Sequence, residues 1–377
     1  MFFGEISTEV ILFFILYGIT GVVPFIAAVY LLLRRGNAFA PDVTPPMRLR
    51  RWAASFFAVA ALGHVWWFLF YIFSCDIHST IYVAVVVLDC ITLLTTIAGT
   101  QLAMLQDRKR PVWPALVAMT PFVALCGVLM VYPSDLLMQT AIAYVLLLYV
   151  LFTAYMVFAV RRYGRWLRDN YADLENKKVW LSQTVTLGCL LLFILYTLVA
   201  PDSILLIFIM HLTEFVLFSL LLWRVETLPS LTPDQASPPT PPSERRGGTP
   251  TAERGWSEAP ANIDLARIER LLAEHCVRTQ LYLQHDLTLQ QLAQAIGTNR
   301  SYLSQYFSRQ GITYNTYINN LRINHFISRY QEVASTQQPF TVQQLASDSG
   351  YRSYSTFSLA FKQRMGQSVT AWMRNTD

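Results

Sequence analysis

Seven apolar stretches, each long enough to cross a lipid bilayer, fill most of the first 223 residues of this 377-residue chain. A membrane-spanning helix needs about 20 predominantly apolar residues, and none of these stretches contains Lys or Arg. Only 14% of the chain is charged, against about 25% in ordinary globular domains, which excludes a simple soluble protein. The predicted spans are Val10–Leu33, Trp52–Phe73, Ile81–Leu105, Val112–Tyr132, Leu136–Val160, Val179–Ala200 and Ile204–Trp223.

Loop charge predicts how this bundle is oriented, because basic residues concentrate in cytoplasmic loops. The first stretch has no basic leading segment and six more follow it, so we expect no cleaved signal peptide. The basic residues fall in three alternate loops: Arg34, Arg35, Arg48, Arg50 and Arg51; Arg108, Lys109 and Arg110; and Arg161, Arg162, Arg165, Arg168, Lys177 and Lys178. We predict a multi-pass protein of the bacterial inner membrane, with its N-terminus outside and its C-terminus in the cytoplasm. We interpret the basic loops as topology signals that contact lipid headgroups, not as a DNA-binding surface.

The C-terminal third of the chain contains an internal repeat. Residues 287–307 read LTLQQLAQAIGTNRSYLSQYF, and residues 340–361 read FTVQQLASDSGYRSYSTFSLAF. Both copies contain Thr-x-Gln-Gln-Leu-Ala-x-x-x-Gly, and the shared Gly297 and Gly350 are 53 residues apart. A repeat of this kind predicts one structural unit that is used twice.

Each copy has the pattern of two helices joined by a glycine turn. Apolar residues from Leu289 to Ile296 recur at helical spacing, and Thr288 and Asn299 are typical N-caps for the two helices. Gly297 suits the left-handed backbone that ends a helix. The second helix of each copy then has an apolar face and a polar face, and the polar face can enter a major groove, as in a helix-turn-helix. The predicted core positions are Leu303, Tyr306, Phe307, Phe357, Ala360, Phe361 and Trp372.

Residues 265–374 resemble the DNA-binding domain of AraC-type transcriptional regulators. The most specific part is GYRSYSTFSLAFKQRMGQSVTAW, which is similar to the signature of this family around its second recognition helix. The Leu321-Arg322 pair is typical of the helix that connects the two repeats, here roughly Tyr314–Tyr330. The sequence departs from the family pattern at Val369, where Pro is usual. The resemblance implies two helix-turn-helix subdomains that read promoter DNA.

A linker separates the bundle from this domain. Leu228–Pro260 contains eight prolines with few apolar residues, and such a composition cannot bury enough surface to offset its ordering entropy. We predict three parts: a seven-helix transmembrane domain over residues 1–224, a disordered linker over 225–262, and an AraC-type DNA-binding domain over 263–377. Because such a linker is flexible, a signal from the transmembrane domain would reach the DNA-binding domain more readily as a change in proximity or oligomeric state than as a rotation of one helix.

The DNA-binding domain has a basic surplus that suits phosphate attraction, with 11 Lys and Arg against 7 Asp and Glu from residue 262 onward. Gln can form two hydrogen bonds to adenine, and Ser can form a hydrogen bond to several different bases. The candidate base contacts are Ser301, Ser304, Gln305, Tyr354 and Ser355. The candidate phosphate contacts, which position the protein without specifying sequence, are Arg300, Arg309, Arg352, Lys362 and Arg364.

Four ionisable residues lie inside the predicted spans: His64, Asp89, His211 and Glu214. Counted at 1.5 Å per residue, all four lie roughly 10–15 Å below the outer edge of the bilayer. Ionisable groups at this depth are expensive, so they should face the bundle interior and find partners. One hypothesis is an outward-open pocket for a small ligand or for protons; the alternative is an interhelical hydrogen-bond cluster that only holds the bundle together. A metal or haem site is a third alternative, but two histidines without supporting spacing are weak evidence for it, so no metal site and no cofactor is predicted. The cysteine spacing indicates neither metal binding nor a disulfide framework.

The combined pattern predicts an all-α protein that is a membrane-anchored, sequence-specific transcription regulator and not an enzyme. Its bundle would be a sensor or an anchor. Its predicted partners are double-stranded promoter DNA and the lipid bilayer, with a small-molecule or proton signal, RNA polymerase and a second copy of the chain as further candidates. The alternative of another class is a membrane enzyme or transporter that carries a regulatory DNA-binding domain. Common catalytic motifs, the P-loop and transporter-type inverted repeats are not evident in the sequence.

Overall fold

The computed structural model describes residues 8–38, 40–41, 43–73, 80–132, 134–175, 177–199, 204–231, 265–336 and 339–375. The chain divides into two compact units, Met1–Tyr163 with Asn176–Leu231 and Gly164–Glu175 with Thr232–Asp377. We call them the first and the second unit and describe each by itself. The named secondary-structure elements in the described ranges are all helices, as predicted. Residues 164–175 belong to the second unit and comprise the end of a long helix, up to Asn170, and the residues that follow it; we call them the 164–175 segment.

The first unit is built from apolar helices that follow the predicted stretches. Six helices are long and apolar enough to cross a membrane, while the apolar helix over Trp180–Tyr196 is shorter. The described residues thus support six of the seven predicted spans, and the sixth predicted stretch, Val179–Ala200, ends outside the described ranges. The helices are α1 (Thr8–Leu33), α2 (Met47–Ile72), α3 (Thr80–Met104), α4 (Trp113–Val131), α5 (Asp135–Asn170), α6 (Trp180–Val199) and α7 (Ile204–Thr227).

Helices α1, α2 and α7 pack against one another, and α3 packs against α2 and α4. Gly99 permits the close contact of α3 with α2, because a Cβ atom there would lie 2.3 Å from the ring of Trp52. Two tyrosines of α5 donate hydrogen bonds to neighbouring helices, Tyr144 to the carbonyl of Ala118 and Tyr149 to that of Leu187, each at 2.8 Å. A buried tyrosine hydroxyl needs such a partner, so these bonds fix α5 against α4 and α6.

A buried ion pair joins α2 to α7 and corrects part of the loop interpretation. Arg50, predicted to face lipid headgroups, is 2% exposed and lies 3.1 Å from a carboxylate oxygen of Glu226, whose side chain is 0% exposed. Arg50 also donates to the carbonyls of Leu31 and Arg34. Its neighbour Arg51 is exposed, as predicted. Arg50 is therefore a structural residue of the bundle and not a headgroup contact.

The second unit contains two helix pairs on either side of one long helix. Tyr314 and Ile318 of that long helix enter one core cluster, while Ile323 and Phe326 enter the other. The long helix thus belongs to both cores. Its helices are α8 (Leu265–Leu272), α9 (Leu289–Ala295), α10 (Arg300–Arg309), α11 (Tyr314–Thr336), α12 (Val342–Asp348), α13 (Tyr354–Met365) and α14 (Val369–Arg374), with a π turn over Ala273–Val277 and a 3-10 turn over Leu281–Leu283.

Several predicted boundaries differ from the structure. Helix α5 continues ten residues past the predicted end at Val160, and α11 continues to Thr336. Leu228 and Leu231, assigned to the linker, are 0% and 4% exposed, and the first unit extends to Leu231. The remaining linker residues lie outside the described ranges. The apolar side chains at the start of the predicted linker find partners in the first unit, which its proline content alone does not reveal.

The two turn glycines offer a matched test of backbone strain. Gly297 and Gly350 have φ of 71° and 88°, and only at Gly350 would a Cβ atom meet neighbouring backbone, at 2.8 Å from Leu283. A left-handed backbone costs a non-glycine residue about 1–2 kcal/mol, and overpacking adds about 1–3 kcal/mol. We expect Gly350→Ala to lower the free energy of unfolding of the second unit by the sum of both costs, and Gly297→Ala by the first alone. Equal losses in denaturant titrations of the two variants would contradict this.

Candidate functional site

Helix α10 has the two faces that the sequence predicts. Asn299 caps it, its side-chain oxygen accepting from the amide of Tyr302 at 2.8 Å. Leu303 is 0% exposed, and Tyr306 and Phe307 are also buried. The candidate base contacts on the opposite face are open, since Ser301 and Ser304 are exposed and Gln305 is half-buried. The first helix of this pair is held by a capping box, in which Thr288 and Gln291 bond each other's backbone amides.

Helix α13 repeats this arrangement in the second pair. Ser353 caps it by accepting from the amide of Thr356 at 3.3 Å. Phe357 and Phe361 are 0% exposed, and the ring of Phe357 lies 4.5 Å from that of Phe326. The candidate base contacts Tyr354 and Ser355 are exposed. The same side of the helix also presents the apolar side chain of Leu359, which is 50% exposed.

The five candidate phosphate contacts are exposed, but three of them have partners within the second unit. Arg300 donates to the side-chain oxygen of Asn170 at 2.9 and 2.6 Å. Arg352 lies 3.2 Å from Asp286. Arg364 donates to Asn324 at 2.6 Å and to the carbonyl of Asn320. These guanidinium groups are held in place, which suits a positioning role. Arg309 and Lys362 are the other two candidates.

Comparison with known families agrees with this geometry over the C-terminal part of the chain. A family model described as a helix-turn-helix domain matches residues 292–375. Residues 292–375 are an AraC-type helix-turn-helix domain. This AraC-type domain runs from within α9 to α14 and so includes α10, α11 and α13. Comparison with curated proteins and with solved structures found no significant match for the chain.

The 164–175 segment packs into the unit that contains the AraC-type domain. Ala172 is 1% exposed and lies in the same core cluster as Leu287 and Leu292. Its amide donates to the carbonyl of Leu287 at 3.2 Å, and an isolated antiparallel bridge pairs Tyr171 with Thr288. Asn315 of α11 donates to the carbonyls of Tyr171 and Ala172. The segment is therefore a structural part of the second unit.

A buried ion pair fixes this segment to α11. Asp173 lies 3.0 Å from the guanidinium of Arg322, and their side chains are 4% and 0% exposed. Arg322 also donates to the carbonyls of Tyr282 and Gln284, at 2.7 and 2.8 Å. The other carboxylate oxygen of Asp173 accepts from the amide of Asp286 at 3.0 Å. A buried charge is tolerated only when it is paired and hydrogen-bonded, and both residues meet this condition.

The end of the segment lies against the N-terminus of α13. Glu175 accepts hydrogen bonds from the hydroxyls of Ser353, Thr356 and Ser355, the last two at 2.8 and 3.3 Å. Burial raises the pKa of the Glu175 carboxyl, but these three hydroxyls and the nearby Arg352 more than offset it, so the pKa is lowered overall. Glu175 is therefore an anion at neutral pH, placed where a helix N-terminus favours negative charge.

The sequence analysis did not find these partners, because it interpreted this loop through its basic residues alone and assigned no role to its acidic ones. One signal was available. Arg322 lies four residues after Ile318 and four before Phe326, so the helical spacing of α11 places it on the buried face. A basic residue there requires an acidic partner, and Asp173 is that partner. The sequence does not indicate which acidic residue it would be.

In the first unit, three of the four predicted ionisable residues meet. His211 Nδ1 lies 2.9 Å and His64 Nε2 lies 3.4 Å from the same carboxylate oxygen of Glu214. Thr20, which the sequence analysis did not single out, places its hydroxyl oxygen 3.2 Å from each of the two histidine nitrogens. His211 is 2% and Thr20 is 0% exposed. We call these four residues the polar cluster.

Asp89 does not join the polar cluster. Its carboxylate accepts a hydrogen bond from Trp67 and lies where a Cβ atom on Gly63 would be 3.1 Å away. The threonines that follow Asp89 on α3 also form no shared site. The hydroxyls of Thr92, Thr96 and Thr100 donate to carbonyls of their own helix, at 2.7–2.8 Å.

The first unit also contains a cavity of about 330 Å³ lined by aromatic side chains, among them Tyr17 and Trp67. Tyr17 also packs against His64 and His211 of the polar cluster.

Proposed function

We propose that this chain is a sequence-specific transcription regulator whose AraC-type domain is anchored to the membrane by a seven-span bundle. The observation that carries the proposal is the pair of capped, similarly built helices α10 and α13, each with a buried aromatic face and an open polar face. Both flank the same long helix α11. Two recognition helices held by one connecting helix suit successive major grooves of promoter DNA.

The proposed topology has the N-terminus outside and the C-terminus in the cytoplasm. Two features support it. The basic residues fall in alternate loops. The 164–175 segment lies in a loop predicted to be cytoplasmic and packs within the same unit as the AraC-type domain, which requires the two to share one side of the membrane. The proposed parts remain a transmembrane domain with α6 among its seven spans, a linker and a DNA-binding domain over 263–377, but the linker begins at 232 because the first unit extends to Leu231.

The test of DNA recognition uses the full chain reconstituted in lipid nanodiscs. It is incubated with a library of randomised duplexes, and the bound DNA is sequenced. We expect the recovered duplexes to share a motif and the affinity to fall steeply with salt, because phosphate contacts release counterions. A recovered pool without any common motif would contradict sequence-specific binding.

Gln305 and Arg309, four residues apart on α10, separate base contacts from phosphate contacts. We expect Gln305→Ala to cost about 1–3 kcal/mol on the selected site and to relax the preference at one base pair. We expect Arg309→Ala to weaken binding to all duplexes alike and to lower the salt slope by about 1. Gel-shift titrations on matched and mismatched duplexes measure both effects, and a uniform loss for Gln305→Ala would argue against its role in base recognition.

The second proposed role is sensing by the bundle, and the polar cluster is the observation that favours it. Ionisable residues within a membrane bundle usually mark a functional site, and here two histidines and a carboxylate converge. The expected result is that Glu214→Gln changes the response of a reporter gene to its inducing signal at unchanged protein level. An unchanged response would leave the bundle as an anchor only. RNA polymerase and a second copy of the chain remain proposed partners of the DNA-binding domain.

A further inference from the structure

The 164–175 segment contacts residues that the proposed function assigns to DNA. Asn170 accepts from the guanidinium of Arg300, a candidate phosphate contact. Glu175 accepts from the hydroxyl of Ser355, a candidate base contact. Asn170 occupies one edge of the Arg300 guanidinium, formed by Nε and Nη2, and Glu175 accepts the single proton of the Ser355 hydroxyl. A DNA group that uses these same donors must therefore displace the segment from them.

Glu175 offers the chemistry of a DNA phosphate at the position where a phosphate would bind. Anions bind at helix N-termini because the backbone N–H groups and the helix dipole point toward them. The carboxylate of Glu175 lies against Ser353, the N-cap of the 12-residue helix α13, and against Thr356 in its first turn. Hydroxyl groups and helix N-termini of this kind are common phosphate contacts in protein–DNA complexes.

We propose that the 164–175 segment is an autoinhibitory strap, which occupies the DNA-binding face of the second unit and competes with promoter DNA. This inference rests on the proposed function. Ala172 and Asp173 anchor the strap in the core, while Asn170 and Glu175, on either side of that anchor, hold the contact residues Arg300 and Ser355 by hydrogen bonds. Because the strap begins with the last turns of α5 and leads along the chain to α6, a change in these two helices alters how well the strap competes with DNA.

The test compares two acidic residues of the strap. Glu175→Gln removes the charge at α13, and Asp169→Asn removes the same charge from an exposed residue one position before Asn170. In nanodiscs, we expect Glu175→Gln to raise the affinity for the selected duplex at least about tenfold, the scale of a hydrogen bond to a charged group. Asp169→Asn measures the gain in DNA affinity that comes only from removing one negative charge, and it should raise the affinity much less than Glu175→Gln.

Equal gains from both variants, or no gain from Glu175→Gln, would overturn the strap while leaving DNA binding intact. Failure of every form of the chain to bind DNA would instead overturn the proposed function. A second measurement needs no variant. In the full chain, saturating DNA should speed hydrogen exchange at the amide of Tyr171, which follows the displaced Asn170 and now donates to the carbonyl of Leu167. Unchanged or slower exchange there would also overturn the strap.

A second inference rests on a separate observation, the polar cluster of the first unit. His64 Nε2, His211 Nδ1 and an oxygen of Glu214 all lie within 4.8 Å of one another. The two distances to the Glu214 oxygen are 3.4 and 2.9 Å. A tetrahedral zinc ion, bonded at 2.0–2.1 Å, sets its ligand atoms roughly 3.3 Å apart. The three atoms are thus spaced closely enough to share one ion.

The hydrogen bonds around the polar cluster leave acceptor atoms facing one another, so a positive charge is needed between them. His64 Nδ1 lies 2.9 Å from the carbonyl of Ala60, and because a carbonyl only accepts, Nδ1 donates to it. His64 Nε2 then faces the carboxylate of Glu214 and the hydroxyl oxygen of Thr20, so a second proton or a metal ion must lie between these atoms. The hydroxyl of Thr20 lies 3.0 Å from the carbonyl of Leu16 and donates along its own helix. A ring nitrogen bonded to a carbonyl while the other faces a shared centre is typical of metal-ligating histidine.

We propose that His64, His211 and Glu214 form a binding site for a divalent transition-metal ion, with Zn²⁺ the best match. Imidazole suits zinc, copper and nickel, whereas magnesium and calcium prefer sites made of oxygen alone. The donor set of two imidazoles and one carboxylate leaves a fourth position, at which the Thr20 oxygen already points. This ion would be the signal, or a fixed part, of the bundle that we propose as a sensor.

Cobalt provides the test, since tetrahedral Co²⁺ absorbs visible light and substitutes for Zn²⁺. The full chain in detergent is stripped with a chelator and titrated with Co²⁺. We expect one saturating equivalent, which Zn²⁺ displaces. Glu214→Gln and His211→Gln should lower the affinity by more than about 100-fold, the upper range for loss of an outer-shell partner. His275→Gln, at an exposed histidine of the second unit, should leave it unchanged.

His64→Cys separates a metal site from a cluster that holds only a proton. Cysteine keeps a metal ligand but removes the imidazole, so the variant should still bind Co²⁺ and gain a thiolate-to-metal charge-transfer band. Absence of a saturating equivalent from both the wild-type chain and His64→Cys would overturn the metal site and leave a protonated His64 beside Glu214. An equal loss on His275→Gln would overturn it too.

Discussion

Replacing Asp173 with Ala is expected to lower the free energy of unfolding of the second unit by about 3–5 kcal/mol. The change leaves the guanidinium of Arg322, which is 0% exposed, without a counter-charge, and an uncompensated buried charge carries a cost of this size. The two carbonyls that accept from Arg322 remain, but they supply no negative charge. Hydrogen exchange at the amides of α11, measured on the full chain in detergent, gives the free energy directly.

Asp169→Ala is the matched control for this measurement. Asp169 lies four residues earlier in the same segment and is exposed, and exposed substitutions usually stay within about 0.5 kcal/mol. Because both variants remove one carboxylate from one short segment, their difference reports the buried pair alone. A loss below about 1 kcal/mol for Asp173→Ala would mean that the segment is not a part of the folded unit in solution.

A comparable loss is expected in the first unit for Arg50→Ala. The substitution leaves the carboxylate of Glu226, whose side chain is 0% exposed, without a counter-charge. The carboxylate still accepts hydrogen bonds from the hydroxyl of Tyr30 at 2.8 Å and from the amide of Ala38 at 2.6 Å. Two such bonds do not replace a cation, so we expect about 3–5 kcal/mol. Unfolding of the purified chain in mixed micelles of increasing denaturing detergent gives the comparison.

The adjacent Arg51 supplies the control, because Arg51→Ala removes the same side chain from an exposed position one residue away. It should change the unfolding free energy by no more than about 0.5 kcal/mol. Both variants delete one basic residue from the same loop, so both could also change how the helices insert into the membrane. Equal losses of unfolding free energy in Arg50→Ala and Arg51→Ala would therefore indicate an effect on insertion, and they would contradict the structural role of Arg50.

The features that the sequence predicted well depend on local periodicity. Apolar runs located the long helices, and the spacing of Leu289 and Leu292 with the caps Thr288 and Asn299 located the first helix pair. The buried faces of α10 and α13 followed from the same spacing. Such patterns are read within one or two turns of a helix, so the sequence displays them directly.

The features that the sequence did not predict join residues far apart in the chain. Asp173 and Arg322 are separated by 149 positions, and Arg50 and Glu226 by 176. Side-chain type shows that a buried Arg needs a carboxylate, but it does not show which one. The polar cluster is an intermediate case. Its members His64, His211 and Glu214 were predicted from burial cost, whereas Thr20 resembles any other threonine of an apolar helix, and Asp89 was included although it bonds elsewhere.

The second unit is assembled from two stretches of chain that α6 and α7 separate in sequence. During synthesis, Asp173 is made long before Arg322, and two helices must be placed between them. If both cross the bilayer, or neither does, the two residues end in the same compartment. If only one crosses, they end in different compartments and Arg322 is buried without its carboxylate. Completion of the second unit thus requires that α6, whose described apolar run over Trp180–Tyr196 is shorter than the six candidate spans, either crosses the bilayer together with α7 or stays out of it together with α7.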